Sequence, residues 1–444
     1  MFKTDKIYAE ILRISLPISL ALVIPFLNLA INNYFFGRLG ELELGTAGIT
    51  GVYYLLFAML GNGLASAVQT IIARRSGENN KQAIGITFTN GFFITLGFSV
   101  LYMFFSFLCT PLFLSWVLHD EKVQTLTTKY IYIRIWGLPF LYVFQLINAF
   151  LMGTGNTRFL MYGTIVQAGL NILLDYGFIF GKMGFPSLGF NGAAVASVFS
   201  EMAGMLVVLC ILFKKKYVFQ FFLWNSFQIH INSFKKIIKT SLPLKGQYAI
   251  SLTSWLFFYL LIEHTGTQAM AISNLMRNLF SFTGIIIWAF ASTTNTIVSN
   301  YIGQDKQDKV IEVVKNIAFL SFTFVFVFFI IINFFSASLL TYFGHDPSFI
   351  QSGIPVIRIV SCAILLQSIS VIWLNAVTGT GRTSINLLIE LLAIIFYGIY
   401  IYLVIEVLKW SLVWAWASEI IYWSVIFVCS YLFMKSYRWK NHTL

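Results

Sequence analysis

Asp175 sits in NILLDYGF, residues 171–178, among side chains suited to a hydrocarbon solvent. An ionised carboxylate at membrane depth is costly unless it is paired, hydrated or neutralised, so such groups face cavities and carry function. On the same stretch Thr164, Gln167, Asn171 and Asp175 recur at spacings of three, four and four, which stacks them on one helical face. Asn28 and Asn32 form a second polar pair, also four apart. Together these groups suit the binding and release of a proton: the neutral acid is cheaper to bury than the anion, and amides can hydrogen-bond either form. A solvated carboxylate at a helix end is the competing reading. It is disfavoured because IFGKMGF continues largely apolar beyond Asp175.

The elements that must position these residues are membrane helices. Hydrophobic residues make up 58% of the 444-residue chain and charged residues 10%, a balance that excludes an ordinary water-soluble domain. Twelve apolar runs are marked, at residues 14–36, 46–73, 84–113, 129–152, 159–180, 191–213, 241–262, 267–299, 311–335, 352–378, 384–408 and 411–434. Each is long enough to cross a hydrocarbon core of about 30 Å. If runs one and five enter from the cytoplasm, Asn32 lies about 27 Å and Asp175 about 24 Å along them, at similar depths in the outer third of the bilayer. The basic start with Lys3, Lys6 and Arg13 leads into GRLGELELG without a small-residue cleavage pattern, so the first run reads as a retained helix.

A net charge of +12 would suit nucleic acid, but the basic residues gather on alternate connections, which is the signature of topology. Both termini are expected on the cytoplasmic side. Lys214–Lys216 and Lys235, Lys236 and Lys239 bracket a polar linker, dividing the chain into residues 1–213, a linker at 214–240 and residues 241–444. An internal repeat agrees. One offset of 226 carries Pro17 onto Pro243, Gly40 onto Gly266, Gly77 onto Gly303, His119–Asp120 onto His345–Asp346, and GTGNT from Gly153 onto GTGRT from Gly379. YIRI at Arg134 and VIRI at Arg358 match with an offset two residues shorter. Six runs per half is an even number, so the fold class expected is an all-α membrane protein of two pseudo-symmetric six-helix bundles related by an axis along the membrane normal. Cys109, Cys210, Cys362 and Cys429 stand singly in apolar runs, which suggests neither disulfides nor a metal knuckle.

ISLP, GRLG, GNGLASAVQTIIARRSGENN, IRIWGLPF, LMGTGNTR, the segment from NILLDYGF to GFNGAAVAS, LMRNL and the closing YRWK, taken in order, resemble the multidrug and toxic compound extrusion (MATE) family over residues 10–440. The resemblance implies a two-lobed secondary transporter that exports organic, often cationic, compounds in exchange for protons or sodium ions. It points to the bacterial branch whose N-terminal lobe carries the essential acid. In that branch an Asn and an Asp four residues later on helix five form part of a cation or proton site, and Asn171 and Asp175 match them. An Asp on helix one, five residues before the glycine of GRLG, normally joins them; here that position is Asn32. One acid fewer weakens a tight sodium site at Asp175 and Asn171, so the proton is the preferred coupling ion. Another branch carries an acid near the start of helix seven at the position of Ser251, so an ion site of that kind is not expected in the C-terminal half.

Other polar groups inside the runs have two readings each. Glu201 is a second proton carrier or the partner of a neighbouring helix. Arg277 is a cavity charge or the partner of an acid such as Glu419. Lys245, near its helix start, is expected to snorkel to the cytoplasmic surface. Gln145, Asn148, Gln247 and Gln367 are cavity candidates, each alone equally suited to an interhelical hydrogen bond. Trp136, Tyr142, Phe144, Trp255 and Tyr259 are aromatic candidates for holding flat or cationic molecules. Pro17, Pro25, Pro139 and Pro243 are candidate bending points.

No HExxH or GxSxG appears, and His119, His230, His264, His345 and His442 fall in loops or at helix ends, so an enzyme is not expected. Nor is a channel filter visible. The expectation is a monomeric, multi-pass antiporter of the cytoplasmic membrane that takes small organic molecules and needs no cofactor. The rival is a lipid-linked oligosaccharide flippase of the same wider superfamily, whose cleft would be strongly basic.

Overall fold

The computed structural model describes residues 2–223, 228–343 and 346–440, so His345, His442 and part of the linker lie outside the described residues. The regular structure among the described residues is helical throughout. We label the twelve long helices α1 (Phe2–Leu39), α2 (Glu41–Gly77), α3 (Lys81–Val117), α4 (Glu121–Gly153), α5 (Leu160–Phe180), α6 (Phe190–Lys214), α7 (Ile231–Glu263), α8 (Thr267–Gly303), α9 (Val310–Phe334), α10 (Pro347–Thr380), α11 (Thr383–Tyr402) and α12 (Leu412–Lys435). Each of the twelve apolar runs falls on one of them to within a residue at either end, except that the eleventh continues past α11 through a π-turn at Leu403–Val407.

Eleven of these helices are long and apolar enough to cross a membrane by length and composition alone. The remaining one, α7, carries Lys245, Gln247, Ser251, Thr253 and Ser254 along its membrane stretch, and these polar groups dilute its hydropathy. Many large apolar side chains point outward, including Leu108, Phe104 and Phe319, each more than 60% exposed. Such a surface belongs in lipid, where the helix satisfies its own backbone hydrogen bonds.

Helix ends follow local chemistry. Asn80 caps α3 by accepting from the Ala83 N–H at 2.9 Å, and Asp120 caps α4 by accepting from the Lys122 N–H at 2.7 Å. Gly181 ends α5 and Gly381 ends α10 in the left-handed region, with φ of 65° and 86°. The landmarks of the internal repeat fall at equivalent points: Gly77 and Gly303 close α2 and α8, and Asp120 and Asp346 cap α4 and α10. Inside α4 a 3-10 turn at Ile135–Gly137 precedes Pro139, the break that a proline imposes on an otherwise continuous helix.

The chain divides into two compact units, one running from Leu16 to Lys245 and the other formed by the residues before Leu16 together with those from Gly246 onward. In the first, α5 lies against α6, α2 against α4, and α3 against both α2 and α4. In the second, α10 is the central helix, packed on α8, α9 and α12, with α11 against α12.

The contact between α5 and α6 is set by Gly192. A Cβ there would lie 2.6 Å from the carbonyl carbon and oxygen of Phe178 and 2.9 Å from the Ile179 nitrogen. These are backbone atoms on a helix and cannot rotate aside. We expect Gly192→Ala to force the two helices apart and to destabilise the protein by roughly 1–3 kcal/mol. Thermal unfolding of the purified protein in detergent reads this directly. An unchanged midpoint would show that the pair opens without cost.

Candidate functional site

Four amides and hydroxyls converge on Asp175 from three helices of the first unit. Asn28 and Asn32 come from α1, one turn apart and just beyond Pro25; Asn171 and Asp175 come from α5, and Ser197 from α6. Asn28 Nδ2 donates to Asn171 Oδ1 at 2.7 Å, and Asn171 Nδ2 donates to Ser197 Oγ at 3.4 Å. Asp175 is fully buried, and its Oδ1 has no hydrogen-bond partner among the described residues.

Asn32 links the two sides of this cluster in either of two amide orientations. In one, its Nδ2 donates to Asn171 Oδ1 at 3.2 Å and its oxygen faces the Asp175 carboxyl. In the other, its Nδ2 donates to Asp175 Oδ2 at 2.8 Å and to the Asn28 carbonyl at 3.3 Å, and its oxygen lies 3.2 Å from Asn171 Oδ1, so that the Asn171 amide must turn with it to supply a donor. An amide oxygen beside a carboxyl oxygen is favourable only when the carboxyl carries the proton between them. The Asn32 amide can therefore serve a carboxylate as donor or a carboxylic acid as acceptor.

The amides form part of the wall of a cavity of about 250 Å³, which includes Asn28, Asn32, Gln167 and Asn171, and Asp175 lies behind that wall. Across the cavity stands an ion pair. Arg134 of α4 meets Glu201 of α6 in a two-pronged contact, Nη1 to Oε2 at 2.7 Å and Nη2 to Oε1 at 2.5 Å. The Tyr54 hydroxyl of α2 donates to the same carboxylate, 3.1 Å from each oxygen. The Arg134 guanidinium also lies over the Tyr54 ring, 3.7 Å from its centroid. Gly137 lets this pair pack against the broken part of α4, since a Cβ there would be 2.1 Å from Glu201 Oε2. The fork geometry and the capping phenol neutralise both charges where neither faces bulk water. Arg134 and Tyr54 were not singled out from the sequence as site residues. The signal was present in Arg134, a lone cation inside the apolar IYIRIWG.

Several expectations need correction. Thr164 does not join the cavity wall: its hydroxyl is turned to its own backbone, on the Leu160 and Met161 carbonyls. Gln145 donates to the Ala58 carbonyl at 3.2 Å, an interhelical bond, and Asn148 lies on the same half of α4, away from that wall. Tyr142 and Phe144 are core residues, buried at 1% and 6% exposure, and the Tyr142 hydroxyl donates to the Phe57 carbonyl. Lys245 does not snorkel. Its side chain is buried with Nζ 3.0 Å from the centroid of the Phe98 ring and no hydrogen-bond partner among the described residues, so an aromatic face takes the place of water. Arg277 is exposed and does not pair with Glu419, which accepts instead from Tyr397 and Trp423. In the second unit Gln247 donates to Glu390, and Gln367 is buried in α10.

The arrangement is a polar cavity with a sequestered carboxyl on one wall and a neutralised ion pair on the other. Its parts suit reversible binding rather than bond-making. Among the described residues no group of three or more His, Cys, Asp and Glu side chains gathers as a metal site would require.

Comparison with known proteins agrees with the fold. The chain is 23% identical over 453 aligned residues to the probable multidrug resistance protein NorM of Thermotoga maritima, a match covering all of this chain and 95% of that one. A MATE protein crystallised in complex with MaL6 superposes with a TM-score of 0.89 at 18% identity, over 96% of this chain and 95% of the other. An outward-facing multidrug resistance MATE family transporter of the MOP superfamily also gives 0.89, at 17% identity over 98% and 96%. The MatE family model matches residues 17–177 and again 243–404, one copy in each half of the internal repeat. With both copies matched over most of its length, the chain belongs to the MatE family of membrane transporters.

Proposed function

We infer that this transporter exports organic compounds, cationic or amphipathic, across the cytoplasmic membrane by proton-coupled antiport, with Asp175 as the coupling carboxyl. The observation that carries this reading is the state of Asp175: fully buried, without an ion pair among the described residues, and touched by an amide that fits either protonation state. Both termini lie on the cytoplasmic side in this reading. Protonation from outside lets Asn32 turn toward Asn171 and draws α1 onto α5, with Pro17 and Pro25 as the points where α1 bends. Release of the proton inside turns Asn32 back. Substrate and proton then compete for one equilibrium between two conformations, as alternating access requires.

A proton fits this site better than a sodium ion. Sodium needs several oxygen ligands, but Asp175 supplies a single carboxylate here and Asn171 Oδ1 already accepts from Asn28. The flippase alternative asks for a basic cavity. Arg134 is neutralised by Glu201, Lys245 is sealed over Phe98, and neither Lys245 nor Arg277 belongs to the cavity wall, which supports drug export over lipid flipping.

The test is efflux of a panel of fluorescent cations from inverted membrane vesicles, with pH and sodium gradients imposed separately. Export is expected to follow the pH gradient and to continue when sodium is equal on both sides. Loss of export on collapsing the sodium gradient alone would overturn proton coupling.

A further inference from the structure

The second unit contains a buried carboxyl that the proposed cycle does not use. Glu390, on α11 about 10 Å from its first residue, is 1% exposed. Three neutral groups hold it. Ser251 of α7 and Tyr422 of α12 donate to Oε1, the latter at 2.5 Å, and Gln247 of α7 donates to Oε2 at 3.3 Å. Among the described residues no lysine, arginine or histidine forms an ion pair with it. Other titratable groups on the packed helices are Tyr397 of α11, whose ring lies 5.7 Å from that of Tyr422, and Glu419 of α12.

The partners of Glu390 outnumber those of its neighbour Glu419. Glu419 has two partners, the indole N–H of Trp423 at 3.1 Å, which can only donate, and the Tyr397 hydroxyl, whereas Glu390 has three. Every partner of Glu390 is reversible. The hydroxyls of Ser251 and Tyr422 can each donate or accept, and the Gln247 amide can turn over to present its oxygen. The shell therefore satisfies the carboxylate with three donors and the carboxylic acid with an acceptor for its O–H. A carboxyl kept only to join helices has no need of this property, because a glutamine would make the same bonds without an uncompensated charge at membrane depth.

We propose that Glu390, held by Gln247, Ser251 and Tyr422, is a second proton-carrying site, so that each unit of the transporter has its own exchangeable carboxyl. The step is simple association: the carboxylate takes one proton from water, the new O–H donates to one of the three partners, and the reverse step returns the proton.

The site can be examined without knowing a substrate. Full-length protein in liposomes is titrated by pH-difference infrared spectroscopy, following the C=O stretch of protonated carboxyl groups in potassium buffer. Glu390→Gln should remove one titrating carboxyl signal, and Asp175→Asn should remove a different one. Tyr422→Phe and Ser251→Ala should keep the Glu390 signal but displace its frequency, which guards against a Glu390→Gln protein that does not fold. An unchanged spectrum in Glu390→Gln, or in both shell variants where that protein cannot be made, overturns the proposal. So does loss of the signal when sodium replaces potassium, since the site would then hold a metal cation.

Discussion

Asp175→Asn is expected to produce a folded transporter that binds substrate and cannot accumulate it against a gradient. The substituted amide is isosteric with the protonated acid and can donate to the Asn32 oxygen, keeping the orientation in which Asn32 donates to Asn171 at 3.2 Å. The protein is thereby held in one of the two states that Asn32 distinguishes. An imposed pH difference of one unit is worth about 1.4 kcal/mol per proton exchanged, or about a tenfold substrate gradient for one proton. In proteoliposomes carrying that difference the parent protein should approach such accumulation, and Asp175→Asn should show none, while binding of the same fluorescent cation persists. A mutant that accumulates substrate as well as the parent, at equal expression, would remove Asp175 from the coupling step. Asn32→Asp gives a complementary result. A second acid beside Asp175 Oδ2 offers more oxygen ligands and more negative charge, and should shift the pH or sodium dependence of transport rather than abolish it.

The largest stability effect is expected at the Arg134–Glu201 pair. Either partner alone is a buried charge: the side chains are 13% and 4% exposed. Removing one leaves the other uncompensated, at a cost of about 3–5 kcal/mol. Replacing both by apolar residues of similar size should restore much of the loss, because the two desolvation penalties then vanish together. Thermal unfolding of Arg134→Met, Glu201→Leu and the double variant measures this as a cycle. Additive losses would show that the two side chains act independently. Gly137→Ala belongs to the same test, since its Cβ would occupy the space of Glu201 Oε2. Glu201→Gln should also change binding: it leaves Arg134 as an unneutralised cation on the cavity wall, so a cationic probe should bind less tightly while an uncharged one is spared.

The residue string by itself determined the solvent, the twelve spans and the repeat, because hydropathy and a fixed offset are properties of one chain read in order. It also placed Asn171 with Asp175 and Asn28 with Asn32, since groups four apart on a helix share a face whatever surrounds them. Contacts between helices distant in sequence were decided only by tertiary structure. Arg134 and Glu201 are 67 residues apart, and Gln247 and Glu390 are 143 apart. No periodicity relates such positions, so Glu201 retained two readings and Glu390 had none until its partners were known. Lys245 shows the same limit from the opposite side. Its place four residues into the expected seventh span suggests escape to the surface, but the rotation of α7 points it at the Phe98 ring instead. Rotation about a helix axis is set by packing against neighbours, and in a chain whose outer surface is as apolar as its core, hydropathy carries little information about which face turns inward.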